Sequence, residues 1–60
     1  MTLAAFIRAN RDEIDRRIQR LDVTVSSMRK MTDADRRTWI LAEETLYDWA
    51  RQNGVTKASM

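Results

Sequence analysis

The sequence predicts an all-α fold, and three observations carry that expectation. Proline is absent and Gly54 is the single glycine, too few turn-formers for a β fold. Charged residues make up 33% of the chain and, with its Ala, Leu and Gln, give a helix-former composition. Apolar residues recur at spacings of three and four in both halves. A chain of 60 residues is one domain at most. A core that small is marginal, and disulfides, a metal or self-association usually supplement it. Cysteine and histidine are both absent, which excludes disulfides and leaves only carboxylates for zinc. Self-association or a larger partner is the stabiliser that remains.

The first helix is expected over about 2–21. Leu3, Ile7, Ile14, Ile18 and Leu21 form a narrow stripe that continues through Val25 and Met28, with Phe6 at its edge and Asn10 and Arg11 in its one gap. Acid-to-base pairs four apart, Asp12 with Arg16 and Glu13 with Arg17, support it. Residues 22–27 admit two readings. Periodicity carries the helix on to about Lys30, whereas Val23, Thr24, Val25, Ser26 and Ser27 are poor helix formers and favour a break, with a short helical turn near 24–31.

The second helix is expected over about 33–53. Thr32 reads as its N-cap, Asp33 and Asp35 as first-turn acids, and Asn53-Gly54 as its stop. Trp39, Ala42, Leu46, Trp49 and Ala50 share one face, and Ile40 and Tyr47 lie on a second stripe roughly 90° away, counting about 100° per residue. The simplest architecture is an antiparallel helical hairpin formed by residues 1–54, with 55–60 a frayed tail or one in which Val55 folds back. One neighbouring helix cannot cover two apolar stripes, so the hairpin is expected to dimerise into a four-helix bundle or to dock on another protein.

No catalytic or metal-binding constellation is present, and no cofactor is expected. There is no Gly-rich phosphate loop, and Asp12, Glu13 and Asp15 each have an arginine three or four residues away, the arrangement of surface ion pairs. No signal peptide or long apolar run appears, so the default setting is the cytoplasm, and acids on the polar face of the first helix argue against a membrane surface. Net charge is +2, with seven Arg/Lys against four Asp/Glu in residues 1–31 and four against five in 32–60. That asymmetry permits an acidic partner without demanding one.

Two stretches carry a resemblance. Phe6-Ile7-Arg8-Ala9-Asn10-Arg11-Asp12-Glu13-Ile14-Asp15, and Arg37-Thr38-Trp39-Ile40-Leu41 followed by Leu46-Tyr47-Asp48-Trp49-Ala50-Arg51, resemble the opening and the C-terminal signature of short phage- or plasmid-borne bacterial proteins. The chain departs from that pattern at Ala42, Glu43 and Thr45, where the group tends to carry Asn, Asp and Gly. The likeness covers about half the chain. It implies a mobile-element origin and brings no activity with it. Phe6-Ile7-Arg8 and Asp33-Ala34-Asp35 carry a fainter likeness, to an RNA-binding helical hairpin that regulates plasmid copy number; it implies an RNA-contacting face with Phe6 and Asn10, although this chain lacks the lysines that precede the motif there and has a longer central segment.

The function expected is therefore non-enzymatic: a small phage- or mobile-element-type protein that modulates a host protein by stoichiometric contact, for example as an inhibitor of a nuclease or CRISPR effector. Ile40 and Tyr47, with Arg36, Arg37, Glu44 and Arg51 nearby, are the expected contact residues, since Trp, Tyr and Arg dominate binding hot spots; Trp39 and Trp49 are expected in the core. The alternative is an RNA- or DNA-binding dimer using Phe6, Arg8, Asn10, Arg11 and Arg17.

Overall fold

In the computed structural model, which describes residues 1–60, the chain is all-helical: α1 (Leu3–Ala9), α2 (Arg11–Gln19), α3 (Val25–Arg29), α4 (Asp33–Ala42), α5 (Glu44–Gln52) and a closing 3₁₀ turn (Lys57–Ser59). Each of the two long helices expected from periodicity is broken in its middle. The molecule measures 32 × 18 × 16 Å, about two helix diameters thick. Its accessible surface of 4137 Å² is close to the ~4,100 Å² that the mass scaling gives for a folded monomer of this size.

Thr2 caps α1 by accepting from the Ala5 amide at 3.1 Å. The helix stops at Asn10, whose side-chain amide donates to the Phe6 carbonyl at 2.9 Å, the local competition with the helical ladder that makes Asn a poor interior residue. After α2, Asp22 adopts φ 64°, a left-handed conformation that short polar side chains tolerate. Thr24 then caps α3 through the Ser27 amide at 3.2 Å. The break-and-turn reading of 22–27 is the one realised, and Val25, counted on the first stripe, is 58% exposed. Thr32 and Asp35 form a reciprocal capping box at the start of α4, which satisfies two amide donors that a helix start otherwise leaves open.

Glu43 adopts an extended conformation (φ −100°, ψ 116°) between α4 and α5, and this corner resolves the two-stripe pattern. In an unbroken helix Ile40 and Leu46 would point about 120° apart. The corner turns α5 against α4, so that Ile40, Leu46 and Ala50 all enter one cluster with Leu3, Phe6, Ile7, Ile14, Ile18, Met28 and Val55. Ile40 is 0% exposed within the single chain. Its expected role as a contact residue is thereby corrected, and the need for a second copy to cover it disappears.

Beyond Gly54 the fold-back of Val55 is the reading realised. Gly54, at φ 95°, lets the chain reverse in a Schellman motif, with Val55 N–H donating to Ala50 C=O and Gly54 N–H to Arg51 C=O, both at 3.1 Å. Val55 is thereby buried at 2% exposure, and Met60 packs against the core.

Candidate binding surface

Two of the six residues expected to contact a protein partner, Ile40 and Arg36, are engaged inside the fold. Arg36, 12% exposed, spans α2 and α4: its guanidinium donates to Asp15 at 2.8 Å and to Asp33 at 2.9 Å. Asp33 also receives Arg11 at 2.6 Å. The four groups form one network that fastens α2 to α4. Hydrogen bonds from Arg11, then Arg36, hold the Asp33 carboxyl below its ordinary range against the opposing effect of desolvation. The bond to Asp15 raises the Arg36 pKa further.

The alternative nucleic-acid set is largely consumed as well. Phe6 is buried at 1% exposure and meets Trp49 edge to face, with ring centroids 5.0 Å apart. It has no face free to stack on a base. Arg17 lies over the same indole at 4.0 Å while pairing with Glu13 at 3.0 Å. Glu13 also takes Arg16 at 2.9 Å, in place of the expected Asp12–Arg16 pair. Its carboxyl is held low, chiefly by Arg16. Asn10 serves as the α1 cap and Arg11 is bound to Asp33, so Arg8 alone of that set is exposed and unpaired.

What remains outward lies mainly along α4. On its α3 side, Ser27, Lys30, Met31, Asp35, Thr38 and Trp39 line an open groove of about 380 Å³. Trp39, expected in the core, is half-buried: it and Ile40 are neighbours about 100° apart on the helix, so with Ile40 fully inward the larger ring sits at the margin. Met31 and Trp39 are the pair that sequence reasoning missed. The available signal was Met31 at the position before the N-cap, where an apolar side chain usually packs on the fourth helical residue, here the charged Arg36. On the α1 side, Ala4, Ile7, Arg8, Asp33, Ala34 and Arg37 line a smaller cleft of about 230 Å³. Arg37 is exposed and donates to the Met60 carbonyl. On α5, Tyr47 is half-buried and Glu44 and Arg51 are exposed.

No cluster of three or more His, Cys, Asp or Glu side chains is placed to hold a metal, and no helix is long and apolar enough to cross a membrane. Fold and surface together define a small all-α protein with a closed core and one outward-facing helix flanked by two grooves. No protein-family model matches the chain, and no curated protein and no solved structure matches it either.

Proposed function

We propose that this chain is a non-enzymatic binding protein, acting in the cytoplasm, that modulates another protein by stoichiometric contact, as small phage- or mobile-element-encoded inhibitors of nucleases and CRISPR effectors do. The observation that carries the reading is the α3–α4 groove, where a half-buried Trp39, with Met31, lines about 380 Å³ of open space. Tryptophan is the side chain most enriched at energetic hot spots, and methionine adapts its shape to whatever packs on it. Lys30, Asp35 and Thr38 supply a polar rim, the usual anatomy of such a patch. Tyr47, Glu44 and Arg51 extend the outward surface along α5. Self-association into a four-helix bundle is the version of this reading in which the partner is a second copy.

The test is comparative capture from host lysate with immobilised wild type, Trp39→Ser and Thr38→Arg. The reading expects a protein held in fixed proportion after nuclease digestion, lost from Trp39→Ser with circular dichroism showing that variant folded, and lost equally from Thr38→Arg, at an exposed position of the same groove. Identical capture by all three proteins, or recovery of nucleic acid alone, refutes it. Sedimentation equilibrium separates the self-associating version from one with a foreign partner.

A further inference from the structure

We infer that the α1–α4 cleft is a second contact, selective for carboxylates, which receives an acidic, partly apolar segment of the protein partner between Arg8 and Arg37. The inference rests on the protein-binding reading and adds the chemistry of the partner. Charge complementarity carries it. Arg11, Arg16, Arg17 and Arg36 are all ion-paired within the chain. Arg8 makes neither an ion pair nor a side-chain hydrogen bond, and Arg37 reaches only the Met60 carbonyl. Both line the same cleft. Its one acid, Asp33, already holds Arg11 and Arg36, so the lining keeps Arg8 wholly unpaired, Arg37 engaged only at the Met60 oxygen, and no free carboxylate. Asp12, which shares the adjoining depression with Arg8, makes no ion pair with it across the Asn10 break.

The rest of the lining distinguishes a protein carboxylate from a nucleic-acid phosphate. Ala4, Ile7 and Ala34 form an apolar floor of small side chains, which suits the aliphatic stem of glutamate and offers a ribose or phosphate nothing. Leu41, 42% exposed, stands one helical turn beyond Arg37 and extends the apolar track. Planar guanidinium forks bind carboxylates and phosphates alike through two parallel hydrogen bonds, so the selectivity comes from the apolar floor. A helical segment with glutamates one turn apart and leucines between them therefore fits the cleft.

The probe is a synthetic helical peptide of that pattern, compared with its Glu→Gln counterpart and with single-stranded DNA, in NMR titrations of the full chain. The Glu peptide should move the Nε–H signals of Arg8 and Arg37 and the methyl signals of Ala4 and Ala34. Arg8→Gln disturbs no contact within the fold, and it should weaken binding about tenfold or more, as losing one charged hydrogen-bonded group does. Equal binding of the Gln peptide, failure of the Glu peptide to bind, or tighter binding of DNA to the same signals overturns the inference. Trp39→Ser should leave this titration unchanged. The two surfaces thus fail separately: loss of lysate capture in Trp39→Ser, together with failure of the Glu peptide to bind the wild type, refutes the cleft alone.

Discussion

Replacing Ile40 with alanine tests the claim that the core closes within one chain. Ile40 has no exposed surface, so the substitution removes three buried carbons, worth about 0.8 kcal/mol each by transfer. A cavity is left as well, because Ile40 sits where α4 and α5 turn against each other around the Glu43 corner. The expected cost is ~2–5 kcal/mol. At roughly 0.05–0.15 kcal/mol per residue, a chain of this length has only ~3–9 kcal/mol in total. Ile40→Ala should therefore leave a protein that is partly unfolded at ambient temperature, whereas Tyr47→Ala, at a half-buried position, should stay folded. Urea denaturation followed by far-ultraviolet circular dichroism, at several protein concentrations, measures both. A cost for Ile40→Ala below ~1 kcal/mol with an unchanged m value would place Ile40 outside the core. A wild-type midpoint that rises with concentration would mean that a second copy completes the fold.

Three further outcomes follow from the same contacts. Arg36→Ala leaves Asp15 and Asp33 facing each other without their shared partner, and should cost ~1–3 kcal/mol in chemical denaturation. Because Asp33 and Glu13 titrate below their ordinary values of 3.8 and 4.5 in the folded chain, their stabilisation is complete above those values and disappears as pH falls through the lowered ones. Stability should thus drop on acidification below about pH 4.5, less steeply in Asp33→Asn, as denaturation midpoints across a pH series would show. Gly54→Ala meets no atom within 4 Å, so its cost is the backbone strain of φ 95° alone, ~1–2 kcal/mol, read as a fall in the melting temperature of several degrees.

The helical class, the caps at Thr32 and Gly54 and much of the core were legible in the residues. Leu3, Ile7, Ile14, Ile18 and Met28 fall on the first stripe and are all buried. Thr32 with Asp35 starts a helix, and Gly54 ends one. These are local features: capping and periodicity are set within a few residues of the position concerned. The candidate contacts were legible only in part. Ile40, Arg36 and Phe6 were assigned outward roles, yet each is taken up by a partner distant in the chain. Trp39, assigned inward, does pack against the core, from the margin of a groove.

Tertiary structure alone decided that the second long helix breaks at Glu43. Nothing in the intrinsic preference of Glu43, a good helix former, signals the corner between α4 and α5. A straight helix satisfies its own hydrogen bonds but leaves one apolar stripe in water. Bending at Glu43 forfeits a few local bonds and brings Ile40, Leu46 and Ala50 into one core. In so short a chain that burial outweighs the lost turn, since helices in proteins are held chiefly by packing their apolar faces. The pattern of residues specified which side chains seek shelter; only the assembled chain fixed whether the shelter would come from itself or from another molecule.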